Sequence, residues 1–364
     1  MPPAVSNRDQ QIQLARHHGL QLGELGQSMG MESWLIESWS RCHALGYQPD
    51  DRVAFEPIHK GEVQARTEHN QPLIQAARPV ISSLLDTLSD TRYFAVVTDL
   101  DGIVIDAHGP CITQDRRARD VARIGVNLSE QAVGTTAISG ALHERKPVWL
   151  HQGEHYFQHN TVYSCAGAPL IGPQGDCLGM LDLTGVETRE RPELKHLVSR
   201  AARQIENAMA LGTPHHLLVR LNWPGESLGH EADGLLALDG DGFLMGANSV
   251  ARELLGHTLE AGDTRVHAQD ILAVPFALLF DLATAGGEHA VPTWNGLHLT
   301  VRCTRPSMAA RTLPSQRTPL RKLEDAVIRQ AVQEAKGNVG LAAQRLGIGR
   351  ATVYRRLQAS AKNA

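Results

Sequence analysis

Three histidines recur at four-residue steps, His151, His155 and His159, and Cys165 follows shortly after. Imidazole nitrogen and thiolate sulfur are the donors that hold zinc, copper and iron. On one continuous helix, where residues four apart share a face, these four would form a metal or redox centre. Two neighbours oppose that helix: Pro147-Val148-Trp149-Leu150 reads as a strand running into His151, and Gly153 interrupts a helical pattern. A catalytic role for Cys165 would need an activating base or a resolving thiol, and the sequence offers neither. A metal or redox sensor or enzyme built on His151, His155, His159 and Cys165 is therefore the alternative reading.

A second set lies near the C-terminus. Arg350, Thr352, Tyr354, Arg355 and Arg356 fall within one short segment. Arginine makes bidentate contacts to guanine, and hydroxyl groups bond phosphate or base. The elements that would position them are three short helices. The first runs from about Leu320 to Ala335, with Leu323, Val327, Ala331 and Ala335 on one face. Gly337-Asn338 ends it and caps the next, which runs from Val339 to Leu346. Gly347-Ile348-Gly349 makes a tight turn, and the third helix starts near Arg350 with Val353 and Leu357 inward. Two short helices joined by a glycine-containing turn are a helix-turn-helix, whose second helix presents its N-terminal residues to the major groove.

Charge agrees with this division. From Arg317 onward there are ten Lys/Arg and three acids, so this segment carries +7 while the whole chain is −4, leaving −11 on the rest. A basic module on an acidic body fits one nucleic-acid surface beside a larger part with another task. The length of 364 residues allows two or three domains. The five cysteines are scattered, with no C-x-x-C pair, which argues against a disulfide framework or a zinc finger. No apolar run is long enough to span a bilayer, and the N-terminus lacks the pattern of a signal peptide. The expectation is a cytoplasmic protein with no membrane partner and no cofactor.

Along the chain, residues 1–65 read as helical and polar, with Trp34, Ile36, Trp39, Cys42 and Leu45 spaced for one helix face. Residues 66–212 combine a helix over 71–88, two apolar strands about Asp99-Leu100-Asp101-Gly102, a small-residue helix within 125–142, a strand at 147–150, a hairpin about Gly172-Pro173-Gln174-Gly175 and an amphipathic helix over 194–211. The later ligands of a calcium loop are missing after Asp101, so the turn reading prevails there. Residues 213–305 repeat the strand, Asp/Gly turn, strand pattern up to Asn248 and a following helix, with later strands at 290–294 and 298–303. Residues 306–318, rich in Pro, Ser and Thr, read as a linker, and residues 319–364 as the helix-turn-helix domain.

These stretches carry resemblances. GNVGLAAQRLGIGRATVYRRL resembles the DNA-binding end of the Fis family. By that resemblance Arg350, Thr352 and Arg355 fall where DNA is contacted, and Gly349 departs from the usual Ser or Asn. The words SW.RC followed by Pro49-Asp50 are similar to the N-terminal signature of the acetoin-catabolism regulators. GVNLSEQAVGTTAISGALHERKPVWLHQGEHYF and YSCAGAPLIGPQGDCLGMLDLTG are similar to the GAF domain of the same family, with Leu128 for Trp, Thr136 for Asn, Ser139 for Gly and Gly167 for Ser. The resemblance implies a multidomain α+β protein: a GAF-like antiparallel sheet with helices, a PAS-like α+β domain, and an all-α C-terminal helix-turn-helix. It also implies a transcription regulator, not an enzyme, controlled by a small-molecule effector near Glu130, Thr135, His155 and Cys165. The expected partners are an inverted-repeat double-stranded DNA operator, a second copy of the chain, and RNA polymerase. Related regulators place an ATPase domain before the helix-turn-helix. That domain needs a Gly-Lys-Ser/Thr phosphate loop, and no glycine here precedes a lysine, so no ATP hydrolysis is expected.

Overall fold

The fold is that of a computed structural model describing residues 7–21, 31–88, 91–259, 265–306 and 339. The expected helix-turn-helix, with Arg350, Thr352, Tyr354, Arg355 and Arg356, lies outside the described residues, as does nearly all of the expected linker. The chain divides into two compact units, Met1–Arg305 and Pro306–Ala364. Both sheets below belong to the first.

The N-terminal helices are α1 (Asn7–Ala15), which continues as a π-helical turn (Arg16–Gln21), then α2 (Ser33–Ala44), α3 (Lys60–His69) and α4 (Gln71–Thr87). Next come β1 (Tyr93–Asp99) and β2 (Val104–His108), four short helices α5 (Cys111–Gln114), α6 (Arg116–Ala122), α7 (Glu130–Val133) and α8 (Ala137–Glu144), and strands β3 (Val148–His151), β4 (Tyr163–Ile171) and β5 (Cys177–Val186). The long helix α9 (Leu194–Gly212) leads to β6 (Leu217–Asn222), β7 (Gly234–Leu238) and β8 (Leu244–Ala247). Helices α10 (Ser249–Leu255), α11 (Ala268–Ile271) and α12 (Phe276–Ala285) precede β9 (His289–Pro292) and β10 (His298–Thr304).

The first sheet has the order β2-β1-β5-β4-β3, and every pairing is antiparallel. Helices cover both of its faces, which is why β1 is buried at every residue: a strand covered on both sides reads as a continuous apolar run rather than an alternating one. On one face, Phe94, Val96, Val104, Leu150 and Met180 pack with Trp34, Leu35, Trp39 and Cys42 of α2 and with residues of α6 to α8. On the other, Ala95, Val97, Leu181 and Leu183 pack against Leu73, Ile74, Ala77 and Ile81 of α4 and Leu194, Val198, Ala201 and Ile205 of α9. Helix α2 thus belongs to the same core as the sheet. Its buried stripe is Trp34, Leu35, Ser38, Trp39 and Cys42, while Leu45 is exposed.

The second sheet has the order β8-β7-β6-β10-β9. Here β10 alternates, burying Leu299, Val301 and Cys303 and turning His298, Thr300 and Arg302 outward. One core face under α10, α11 and α12 accounts for the alternation. Both Asp/Gly hairpins use the same device. Asp99 Oδ1 accepts from the backbone N–H groups of Asp101 and Ile103, and Asp239 Oδ1 accepts from those of Asp241 and Phe243. Gly102 and Gly242 take up the left-handed backbone at φ +80° and +88°. The aspartates therefore close the turns through their own side chains.

Candidate functional site

The β4–β5 register places Cys165 directly opposite Thr184 and Gly167 opposite Asp182. Residues two apart on a strand share a face, so Cys165, Asp182 and Thr184 emerge together on the face that carries α2 and α8. Gly167 has no side chain there for a physical reason: a Cβ would sit 2.8 Å from the backbone oxygen of Ala137. The missing side chain lets the N-terminus of α8 approach the sheet beside Asp182. Thr136 and Ser139 lock that terminus in a capping box.

Between α8 and the strands lies a cavity of about 30 Å³, room for roughly two waters. Its polar lining includes His155, Asn160, Cys165, Asp182 and Thr184, with Thr136 and Tyr163 at its edge and apolar residues including Leu128, Ile138 and Phe55 around them. Asp182, Asn160 and His155 are each 1% exposed. Burial pushes the Asp182 carboxyl up to about 7, against the opposing hydrogen bond from Thr184. Burial pushes the His155 imidazole down to about 4, so at neutral pH the ring carries one proton. His155 Nδ1 lies 2.9 Å from the carbonyl oxygen of Gln152. A carbonyl only accepts, so the proton sits on Nδ1, and Nε2 is left to accept from the Cys165 thiol at 3.7 Å. The Cys165 thiol is held well above the ordinary range, first by burial and then by Asp182. It is thus a protonated donor and not a nucleophile at neutral pH.

Two acceptors in this lining have no donor among the described residues. Thr184 donates to Asp182 Oδ2, while Asp182 Oδ1 is buried without a partner. Asn160 donates from Nδ2 to the Val133 carbonyl at 3.0 Å, while its Oδ1 is likewise buried and unpartnered. An unmet buried acceptor costs about 1–3 kcal/mol. The cavity therefore favours a neutral guest that brings hydrogen-bond donors.

Of the sequence-derived effector residues, His155 and Cys165 line this cavity, and Glu130 and Thr135 do not. Glu130 accepts from Arg41 at 2.7 and 3.0 Å and from Ser38. Ser38 spends its proton on Glu130, so the fully buried Thr135 donates to Ser38 Oγ at 2.7 Å. These four residues tie α2 to the segment around α7. The three histidines do not share a helix face. His151 ends β3 and bonds Ser164 at 2.7 Å, His155 lies on the cavity, and His159 is exposed in a short 3₁₀ turn. Among the described residues, no group of three or more His, Cys, Asp and Glu is placed to hold a metal ion. Sequence reasoning alone misses Asp182, Thr184 and Asn160. The available signal was an acid inside an otherwise apolar strand, Gly179-Met180-Leu181-Asp182-Leu183.

Two further contacts frame the site. Arg16 donates to the carbonyls of Gly153 (2.8 Å), His155 and Tyr156 (3.0 Å), and Arg8 pairs with the buried Glu154 while lying over the Trp149 ring at 4.5 Å. The N-terminal helix thereby holds the loop that carries His155. At the other end, the β4–β5 turn seats on the second sheet. The Pro173 carbonyl accepts from the Ala247 amide and from Arg252, both at 2.8 Å.

Residues 8–207 match the family described as "MimR, N-terminal domain". The chain belongs to the MimR family. A second match, to bacterial regulatory proteins of the Fis family, covers residues 319–359 of this MimR-family chain. It is 29% identical over 270 residues to the propane 2-monooxygenase operon transcriptional activator MimR of Mycolicibacterium smegmatis, covering 72% of this chain and 44% of that protein. It is 24% identical over 263 residues to the acetoin catabolism regulatory protein of Cupriavidus necator, covering 71% and 39%. The chain thus spans less than half the length of these curated relatives. Among solved structures, the E. coli DhaR(N)–DhaL complex has a chain that aligns at a TM-score of 0.47 and 14% identity, covering 76% of this chain and all of that one. No helix among the described residues is long and apolar enough to cross a membrane.

Proposed function

We propose that this chain is a transcription regulator whose first sheet, with its helices, is a GAF-like sensor for a small effector. On this reading residues 66–212 form the sensor, 213–305 a PAS-like domain, 306–318 a linker and 319–364 the DNA-binding domain. The effector occupies the cavity beside Asp182. The observation that supports this is the pair of unfilled acceptors, Asp182 Oδ1 and Asn160 Oδ1, among buried and mostly apolar walls. A short-chain hydroxy or hydroxycarbonyl compound meets that chemistry, whereas an anion would face the Asp182 carboxyl. Two of the four departures noted in the sequence, Leu128 and Thr136, line the cavity, so its ligand differs from that of a pocket with Trp and Asn there.

The signal then leaves along β4 and β5, through the turn at Pro173 and along α9, to the second sheet. Arg350, Thr352, Tyr354, Arg355 and Arg356 contact double-stranded DNA, and a homodimer reads an inverted repeat with its recognition helices about one DNA turn apart. Effector binding shifts the population between two arrangements of the DNA-binding pair, by as much as its affinities for them differ. The test is calorimetry of the full chain with a panel of small neutral alcohols, diols and hydroxyketones. Saturable binding that Asp182→Ala abolishes is expected. A panel that gives no saturable binding, or binding indifferent to Asp182, overturns the assignment.

A further inference from the structure

The cavity is too small for any molecule beyond about two waters, so a wall must move before a metabolite enters. Ten of its twelve lining residues are buried, and the two that reach solvent are Phe55 and Thr136. Thr136 is fixed: its hydroxyl and backbone N–H are both engaged with Ser139 in the α8 capping box. Phe55 stands on residues 51–59, which form no helix or strand apart from a single bridge between Pro57 and Val126.

Few bonds hold this strap to the sensor. The Ile58 amide donates to the Gly125 carbonyl at 2.9 Å, the Asn127 amide donates to the Glu56 carbonyl at 3.3 Å, and Arg123 donates to the Phe55 carbonyl. The Phe55 ring meets Tyr163 edge-on at 6.1 Å. Behind the strap is a second, open groove of about 680 Å³, lined by Val53, Ala54, Glu56 and Pro57 from the strap together with Tyr47 and Phe157. Thus Phe55 lines the inner cavity while the residues on either side of it line the outer groove. The strap is the partition between them.

We propose that residues 51–58 are the door of the inner cavity and that Phe55 is its plug, setting both the passage and the size of the guest. The outer groove is the vestibule. Swinging Phe55 outward joins the two spaces and adds the volume of a phenyl ring to the inner one, which accommodates a ligand of several heavy atoms. The identity of the guest as an effector rests on the function proposed above; the door does not.

Cys165 reports on the door without any effector, because it lines the inner cavity and is 6% exposed. The experiment is the rate of modification of Cys165 in the full-length protein by methyl methanethiosulfonate, mapped by peptide mass; because burial keeps this thiol protonated at neutral pH, the reaction is run at about pH 9 and read as the ratio of variant to wild-type rate. The other four cysteines, all buried, serve as internal references. Two variants open the door by different means: Phe55→Ala removes the plug, and Arg123→Met removes a bond to the strap without altering the cavity lining. Each is expected to raise the Cys165 rate at least about tenfold with the reference rates unchanged. A Cys165 rate that stays at the wild-type value in both variants overturns the proposal. So does a Cys165 rate that rises only in step with the references in both. If the effector assignment fails and no small molecule binds, this labelling result is unaffected.

Discussion

Replacing Asp182 by Asn should make the ligand-free protein more stable at alkaline pH relative to wild type, and progressively less so toward acid. The native carboxyl titrates near 7 because it is buried, whereas in the unfolded chain it titrates near its ordinary value of about 3.9. The native state therefore binds this proton more tightly than the unfolded state. Its contribution to stability is fully present below about pH 4 and is lost as pH rises through about 7. Linkage between those two values gives a wild-type penalty of about 1.5 kcal/mol at pH 5 and about 4 kcal/mol at pH 8. Asparagine carries no such term. It brings a fixed cost of about 1–3 kcal/mol for any amide N–H left unbonded, but that cost does not vary with pH. The difference in stability between Asp182→Asn and wild type should thus move by about 2.5 kcal/mol in favour of the variant between pH 5 and pH 8. Urea titrations followed by tryptophan fluorescence at several pH values read this directly, and contributions from other groups cancel in the difference. A gap that is constant across that range would refute the reasoning that Asp182 is a buried, strained carboxylate held in reserve for a ligand.

Other outcomes follow from the same contacts. Arg16→Met deletes three hydrogen bonds to the loop around His155 and should lower stability by about 2 kcal/mol, read as an earlier urea midpoint; an unchanged midpoint removes α1 from the account of the site. Gly167→Ser, which restores the side chain usual in the resembling family, puts a Cβ 2.8 Å from the Ala137 oxygen and should destabilise by about 1–3 kcal/mol while weakening ligand binding. Gly246→Val drives a side chain into Pro173, whose Cβ would lie 2.7 Å from the new Cβ. It should leave ligand affinity within a few-fold in calorimetry while abolishing the ligand's effect on DNA affinity, and an intact response would show that the turn is not the relay.

Local signals carried most of the fold. The Asp/Gly hairpins at Asp99 and Asp239 were legible because the turn chemistry is contained in four or five residues. Helices α4 and α9 were legible because each lays a periodic apolar stripe on the first sheet. Strand β6 and helix α12 carry no such signal. Leu217–Asn222 is a short apolar run immediately after a helix, and Phe276–Ala285 is apolar almost all round, so it shows no stripe. The inner face of α2 was only partly legible because it contains Ser38, a polar residue buried for its bonds to Glu130 and Thr135.

The site was harder to read, since it depends on pairing across strands. Motif words lead to Cys165 and His155, but Thr184 joins them only through the β4–β5 register, and Asn160 only through a bond to Val133, 27 residues earlier in the chain. The four-residue spacing of the histidines carried no structural meaning, because a strand end, a loop and a 3₁₀ turn interrupt it. Phe55 left no sequence signal, as it sits in a segment without periodicity.

Regulated, sequence-specific DNA binding is decided by a mobility shift of the full chain on its own upstream DNA. The titration should be run across a salt series, with excess non-specific competitor, for wild type and Arg350→Ala. A specific complex should survive the competitor and weaken by about 1–3 kcal/mol in the variant. Binding that follows salt alone, with no preferred sequence and no effect of Arg350, would contradict it.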